Sequence, residues 1–266
     1  MASASVTISA DALAERFAAL KRQHRRALVC YVTAGYPDPE ASVALVRGLD
    51  AAGADVIELG VPFSDPMADG PVIQASSQRA LEHGVTLDRT LEIAAAAKAG
   101  CPLVLFSYLN PLMAAGPTVL ERAAAAGISG VLVTDLPVGA DPDREQWLAD
   151  GPLAFIRLAA PTTPTERMAE IASHGSGFVY LISRLGVTGT RDTLPEDLPR
   201  TVQRLRSATT LPICVGFGIS TPDQARAVGA LADGVVVGSA LVRAAGESVH
   251  AATVLARELR AALDAP

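Results

Sequence analysis

ICVGFGISTPDQARAVGALADGVVVGS occupies residues 213–239. Two short apolar runs, 213–217 and 235–239, flank a stretch at 222–228 with the apolar spacing of an amphipathic helix. Thr221 followed by Pro222 is typical of a helix start, because the hydroxyl caps free backbone N–H groups and proline fits the first turn. Runs that are apolar throughout are typical of parallel strands covered on both faces. The stretch therefore predicts one strand–helix–strand unit in which both strands end at glycines.

The same unit recurs along the chain. The predicted strands are 28–33, 56–61, 103–108, 131–135, 154–159, 178–183, 213–217 and 235–239, and the fifth is the least regular because Arg157 interrupts it. Amphipathic stretches at 39–52, 87–99, 118–126, 144–148, 164–174, 198–207, 222–228 and 249–263 are predicted helices, several introduced by a capping residue and proline at 38–39, 163–164 and 221–222.

Eight such repeats fit a closed barrel of about 250 residues better than an open nucleotide-binding sheet, whose glycine-rich first turn is missing at 34–37. We expect an α/β protein with a single (β/α)8 TIM barrel domain over residues 1–266 and a flexible tail at 1–8. An extra N-terminal helix presents Leu13, Phe17 and Leu20 on one face. Long loops are predicted after strand 2, at 62–74, and after strand 6, at 184–195, both on the catalytic face of such barrels.

Composition narrows the function classes. The net charge of −6 argues against a nucleic-acid or anionic-membrane surface. No signal peptide and no apolar run of about 18 residues is present, so we expect no membrane span and a cytoplasmic location. Cys30, Cys101 and Cys214 are few and widely spaced, which favours buried apolar residues over a disulfide framework. The four histidines fall on helices or helix ends, so no metal site is expected.

Glycines at the ends of the last two strands predict a phosphate site. Gly218 follows strand 7, and Gly238 and Ser239 end strand 8. In such barrels these two loops often bind phosphate through backbone N–H groups and a helix start, and a serine hydroxyl adds a donor. Gly189, in the predicted loop after strand 6, is placed to close over the same phosphate group.

Acidic residues near strand ends are the candidate proton-transfer groups. Glu58 interrupts an apolar strand, and burial raises the pKa of a carboxyl group toward values useful in acid–base catalysis. The following loop carries Asp65 and Asp69, and spacing does not choose between them. Asp135, at the end of strand 4, is either a site residue or a structural hydrogen-bond partner. With no Ser–His–Asp arrangement and no lysine at a strand end, the residues indicate carboxylate chemistry on a small phosphorylated substrate.

Residues 59–71, LGVPFSDPMADGP, resemble a characteristic segment of the tryptophan synthase α subunit family. Further matching blocks follow in family order at 108–111, 134–137, 160–164, 183–189, 216–220 and 238–240. The resemblance implies retro-aldol cleavage of indole-3-glycerol phosphate to indole and glyceraldehyde 3-phosphate. It implies that Glu58 protonates the indole ring and then accepts the proton of the hydroxyl on the substrate's glycerol side chain. It also implies that Asp69 accepts a hydrogen bond from the indole N–H.

The resemblance also implies the remaining site residues and partners. The substrate pocket falls on Tyr31, Ile73, Tyr108, Tyr180, Thr188 and Phe217, and the phosphate site on Gly189, Gly218, Gly238 and Ser239. Departures from the family pattern are Met67 for leucine, Val72 for threonine, Tyr31 for the phenylalanine of some members, and Val138-Gly139 for an acidic pair. The implied partner is a β subunit that carries pyridoxal phosphate, in an α2β2 heterotetramer, with no cofactor in this chain.

Three alternatives stay open at this stage. The first is a stand-alone lyase that releases indole without a β subunit. The second is another phosphate-binding barrel, such as a sugar-phosphate isomerase or epimerase, which needs a different acid–base set. The third is a catalytically silent regulatory subunit, which the presence of both carboxylates argues against.

Overall fold

Eight parallel strands close into a barrel in the computed structural model, which describes residues 11–182, 195–216 and 218–265. Each strand pairs with the next along the chain, and β8 pairs with β1. The strands are β1 (Ala27–Thr33), β2 (Val56–Gly60), β3 (Leu103–Ser107), β4 (Ile128–Val133), β5 (Ala154–Ala159), β6 (Val179–Ile182), β7 (Ile213–Gly216) and β8 (Gly234–Val237). The predicted barrel is confirmed. β4 starts earlier than predicted, because its first residues, Ile-Ser-Gly, break the apolar pattern beside a register shift against β3.

Twelve helices lie within the described residues. They are α1 (Asp11–Arg22), α2 (Pro39–Ala51), α3 (Pro71–Glu82), α4 (Leu87–Ala97), α5 (Leu109–Ala114), α6 (Val119–Ala125), α7 (Pro142–Ala149), α8 (Thr165–Ser173), α9 (Leu198–Ala208), α10 (Pro222–Gly229), α11 (Ser239–Glu247) and α12 (Val249–Asp264). The structure adds α3, α5 and α11 to the predicted set. In the described ranges, no helix has the length and apolar character that a membrane crossing requires.

The structure describes one of the two predicted long loops and almost none of the other. The loop after β2 is long, as predicted, but it ends at Gly70 rather than near residue 74, because α3 begins at Pro71. Residues 183–194 lie outside the described residues, so the predicted loop over 184–195 stays a prediction for all but its last position. The predicted tail at 1–8 also lies outside them.

The first helix fills one end of the barrel. Leu13, Phe17 and Leu20 are buried with inward-facing strand residues, and the ring centroids of Phe17 and Phe178 lie 5.5 Å apart. Phe178 directly precedes β6, so the contact lies at the amino ends of the strands. Because α1 covers that end, the opposite end, where the strands finish, is the one available for a cavity.

Arg157 interrupts β5 without disturbing the barrel interior. Its neighbours in sequence divide between the two sides, with Ile156 inside the barrel and Phe155 packed under the outer helices. The Arg157 side chain therefore points outward, where it pairs with the buried Glu145 and donates to the carbonyl of Leu136 at 3.1 Å. Because Glu145 and the Leu136 carbonyl compensate the Arg157 charge outside the barrel, this residue can occupy an otherwise apolar strand.

Side-chain caps confirm two of three predicted helix starts. Asp38 accepts a hydrogen bond from the N–H of Ala41 at 2.7 Å, and Thr221 forms a capping box at the start of α10. The prediction for Thr163 is wrong, because its hydroxyl accepts from the N–H of Ala160 at 3.1 Å and α8 starts after Pro164. The three cysteines are free and buried, as predicted, and burial raises the pKa of each thiol.

Candidate active site

A cavity opens at the carboxyl ends of the strands. Its walls come from β1, β2, β3 and β6, from the loop after β2 with the start of α3, and from the segments after β7 and β8. Eight of the predicted site residues line it, namely Tyr31, Glu58, Asp69, Ile73, Tyr180, Gly218, Gly238 and Ser239. Thr188, Gly189 and Phe217 lie outside the described residues.

Glu58 is the most unusual side chain of the cavity. Its inward position on β2 leaves it 0% exposed, and neither carboxyl oxygen has a hydrogen-bond partner among the described residues. Burial without compensating donors disfavours the charged form and raises the pKa of Glu58 to about 8. The group is therefore mostly protonated at neutral pH, and a neutral acid facing a cavity is suited to donate a proton to a bound molecule.

Asp69 has a different environment in the same cavity. The hydroxyl of Tyr108 donates to its carboxylate at 3.0 Å and accepts from the N–H of Ala68 at 2.9 Å, so one tyrosine holds two consecutive residues of the loop. Burial raises the pKa of Asp69 to about 6, and the hydrogen bond from Tyr108 opposes that shift. At neutral pH Asp69 is mostly ionised and can accept a hydrogen bond or stabilise a positive charge.

The structure separates Asp69 from the other two aspartates considered. Asp65 is exposed, accepts a hydrogen bond from the hydroxyl of Ser64 at 2.6 Å, and does not line the cavity. Asp135 lies two residues beyond the end of β4 and accepts from the N–H of Leu109 at 2.7 Å. It therefore holds the first residue of α5, which is the structural role considered above.

The other end of the cavity is built from backbone. Gly238 is the N-cap of α11 and Ser239 is its first residue, so unpaired N–H groups at the helix start lie beside the cavity. Gly218 has φ +85°, and a Cβ added there would meet no atom within 4 Å. The geometry is that of an anion site, in which free N–H groups and a helix start favour negative charge.

Two nearby glycines, Gly216 and Gly60, leave space for tyrosine side chains. A Cβ added at Gly216 would collide with the hydroxyl of Tyr180, and one added at Gly60 would collide with the hydroxyl of Tyr31. Both glycines lie at strand ends, where the tyrosine rings from neighbouring strands cross the barrel mouth. Gly216 therefore makes room for the Tyr180 side chain, which lines the pocket.

The tryptophan synthase alpha chain family model matches residues 17–264, which include every strand of the barrel and the whole lining of the cavity. The chain belongs to the tryptophan synthase alpha chain family. This membership does not favour the isomerase or epimerase alternative.

Individual alpha chains are similar over nearly the full length. The alpha chain of Caulobacter vibrioides (strain NA1000 / CB15N) is 49% identical over 237 residues, which cover 87% of this chain and 86% of the relative. That of Gluconacetobacter diazotrophicus is 48% identical over 243 residues, covering 90% and 89%. A structure of Mycobacterium tuberculosis tryptophan synthase superposes with a TM-score of 0.89 at 36% identity, covering 96% of this chain and 98% of that one. The alpha subunit from Legionella pneumophila str. Paris gives a TM-score of 0.86 at 34% identity, covering 95% and 98%.

Some residues of this alpha-chain cavity were not predicted. Phe106 lies on β3 with its ring centroid 5.1 Å from that of Tyr31, in an edge-on arrangement. Tyr108, predicted to line the pocket, instead reaches it through Asp69. The other lining residues without a prediction are Gly70, Pro71, Val72, Ile219, Ser220, Ala240 and Arg243.

Within the described ranges no group of three or more His, Cys, Asp or Glu side chains is arranged to hold a metal ion.

Proposed function

We propose that this chain is a lyase that cleaves indole-3-glycerol phosphate to indole and glyceraldehyde 3-phosphate, the α reaction of tryptophan synthase in tryptophan biosynthesis. Membership of the alpha chain family supports this function. The observation that carries it is Glu58, a fully buried acid without a partner among the described residues, which faces a cavity with an anion site at its other end.

We assign the proton transfers to the two acids. Neutral Glu58 donates its proton to ring carbon C3, and the resulting positive charge on the ring nitrogen is stabilised by the Asp69 carboxylate, which accepts the N–H hydrogen bond. The Glu58 carboxylate then takes the proton of the substrate hydroxyl on the carbon attached to C3. As that oxygen forms the aldehyde, the carbon–carbon bond breaks and its electron pair returns to the ring, which releases indole. Burial raises both pKa values, but to about 8 for Glu58 and about 6 for Asp69, so the two groups differ in protonation state at neutral pH, as these roles require.

The substrate spans the cavity in this proposal. The indole ring packs among Tyr31, Ile73 and Phe106, which are buried apolar or aromatic side chains beside Glu58. The phosphate binds the backbone at Gly218, Gly238 and Ser239. Gly189 also binds the phosphate, and Thr188 and Phe217 also contact the substrate. Tyr180 packs near Glu58.

The partner and the cofactor follow from the same proposal. We propose a complex with a tryptophan synthase β subunit, as an α2β2 heterotetramer in the cytoplasm, with pyridoxal phosphate only in the β subunit. This chain then needs no cofactor, because carboxyl groups carry its proton transfers. The loop after β2 supports an interface, since Met67 is a large apolar side chain that is 84% exposed.

Conversion of Glu58 to glutamine tests the reaction. Glutamine keeps the shape and the neutral charge of the protonated acid, so the variant should fold, but its amide N–H groups are far too weakly acidic to transfer a proton. We expect indole release from indole-3-glycerol phosphate to fall by at least about 10²-fold. Glu247→Gln, at the exposed end of α11, is the matched control and should keep full activity. Undiminished release by folded Glu58→Gln protein would remove the proposal.

Adding purified β subunit tests the partner. We expect both chains to elute together at the mass of an α2β2 complex and indole release to accelerate. Equal rates with and without the β subunit, and separate elution, would favour the stand-alone lyase. No release under either condition would favour the silent subunit.

A further inference from the structure

Arg243 brings a positive charge to the anion-binding end of the cavity. It lies on α11 and is the one basic side chain among the described residues that line the cavity. The acidic side chains of that lining are Glu58 and Asp69, so Arg243 is the residue that brings a positive charge to it. The sequence pattern did not predict Arg243 as a site residue, and the proton transfers of the proposed reaction do not involve it.

Helix geometry directs this side chain toward the phosphate end. Arg243 follows Ser239 by four residues, so the two lie on the same helix face, with Cα atoms about 6 Å apart along the axis. Side chains on an α-helix lean back toward its amino end. The guanidinium group is therefore carried toward Ser239 and Gly238, the residues at which the free N–H groups lie.

Arg243 has no acidic partner within the described part of the chain. It makes no ion pair or hydrogen bond there, whereas Arg206 pairs with Asp233, Arg226 with Asp223 and Arg260 with Asp55. The first turn of α11 also carries no acidic residue. Nothing described in the molecule therefore neutralises this end of the cavity.

We propose that Arg243 is a binding residue for the phosphate group of the substrate, an inference that rests on the proposed function. Backbone N–H groups and a serine hydroxyl supply hydrogen bonds but no net charge. A phosphate monoester is close to a dianion at neutral pH, and it enters a cavity with two carboxyl groups in a chain of net charge −6. A guanidinium group supplies the missing charge and can form paired hydrogen bonds to phosphate oxygens.

The test compares Arg243→Met with Arg243→Lys and with Arg257→Met. Methionine keeps the apolar stem and removes the charge, and Arg257, exposed on α12 and absent from the cavity lining, gives the same change in net charge. We expect Arg243→Met to weaken calorimetric binding of glycerol 3-phosphate by about tenfold, the size of one charge-assisted hydrogen bond. KM for indole-3-glycerol phosphate should rise by a similar factor with little change in kcat. Lysine should restore part of the loss, and Arg257→Met should bind like the parent.

The pH dependence of binding provides a second readout. Between pH 5.5 and 7.5 the probe gains its second negative charge, since that phosphate pKa is about 6. Binding by the parent protein should strengthen over this range by a larger factor than binding by Arg243→Met.

Each contrary result has a defined meaning. Unchanged binding by Arg243→Met, or an equal loss in Arg257→Met, would overturn the role of Arg243 while leaving the proposed reaction in place. Failure of the parent protein to bind glycerol 3-phosphate at all would instead overturn the phosphate site and, with it, the proposed function.

Discussion

At the scale of single residues, two carboxyl groups in one cavity are set to different protonation states by their neighbours. Glu58 has no donor nearby among the described residues, so burial alone acts on it and its pKa rises to about 8. Asp69 receives a hydrogen bond from Tyr108, which holds its pKa nearer to 6. Between these two values the cavity contains one proton donor and one anion. Tyr108 therefore acts on the reaction without lining the cavity, and we regard it as a positioning residue for Asp69.

Conversion of Tyr108 to phenylalanine should shift one side of the pH–rate profile. In the parent protein, kcat/KM for indole release should fall below about pH 6, where Asp69 takes up a proton, and above about pH 8, where Glu58 loses one. Loss of the donor removes the effect that lowers the Asp69 pKa, so the acid limb should move to higher pH. The alkaline limb should stay in place, because Tyr108 does not contact Glu58.

Tyr36→Phe is the matched control, since it removes a tyrosine hydroxyl outside this cavity. Its profile should coincide with that of the parent at both limbs. An acid limb that stays fixed in Tyr108→Phe would show that the hydroxyl does not tune Asp69.

At the scale of elements, the sequence predicted the strands better than the helices. Most strands are nearly continuous apolar runs, because each is covered on both sides, and such runs are recognisable from the sequence alone. The exceptions are Glu58 in β2, Arg157 in β5 and the first residues of β4. The helices α3, α5 and α11 lack comparable patterns. α3 buries Ser76 and Ser77, α5 contains a proline, and α11 begins at Ser239, which was predicted to be the last residue of strand 8.

The same reasoning explains which site residues could be predicted. Glu58 stands out because a carboxyl group interrupts an apolar strand. Phe106 does not, since it resembles its apolar neighbours, and only the strand register shows that it faces inward beside Gly60. Arg243 depends on α11 being a helix that begins at Ser239, a feature that the sequence pattern did not reveal. Aligning the inward positions of all eight strands would have identified Phe106.

The segment after β7 can be tested with two glycines of almost equal φ. Gly218 has φ +85° and Gly139 has φ +83°, and neither has an atom within 4 Å of an added Cβ. Alanine at either position should therefore cost about 1 kcal/mol of unfolding free energy from the left-handed backbone alone. Only Gly218 lines the cavity, so only Gly218→Ala places a methyl group in the proposed phosphate site.

We expect similar losses of stability in urea denaturation for Gly218→Ala and Gly139→Ala. KM for indole-3-glycerol phosphate should rise roughly tenfold or more in Gly218→Ala alone, because a small displacement of the phosphate misplaces the reacting bond. A comparable rise in Gly139→Ala would show that backbone strain, rather than position in the cavity, is responsible.

At the scale of the whole molecule, the two ends of the barrel are specialised. The cavity and its acids lie where the strands finish, while α1 and a buried ion pair close the end where they begin. Asp55 directly precedes β2, and its carboxylate accepts from the N–H of Leu28 at 2.9 Å and from Arg260 at 2.8 Å. Arg260 lies on α12 and also donates to the carbonyl of Arg26 at 3.0 Å. The pair thus ties the last helix to the first two strands, where the chain closes on itself.

Removal of Arg260 should therefore reduce stability without affecting catalysis. Arg260→Met removes the 2.8 Å contact of the buried Asp55 carboxylate and leaves it the longer ion pair to Arg16 at 3.9 Å, so we expect a loss of about 3 kcal/mol of unfolding free energy in urea at neutral pH. Burial raises the pKa of Asp55 and Arg260 lowers it, so in the variant Asp55 takes up a proton at higher pH than in the parent. The deficit should shrink as the buffer becomes acidic, because a protonated Asp55 no longer needs the cation.

Arg25→Met is the control for this network, since Arg25 pairs with Asp264 at 3.0 Å through side chains that are 37% and 40% exposed. Exposed pairs contribute little, so its loss should be below about 1 kcal/mol. Folded Arg260→Met protein should release indole at the parental rate, because neither Asp55 nor Arg260 lines the cavity. A fall in kcat at full folding would show that the two ends are coupled and would contradict their separation.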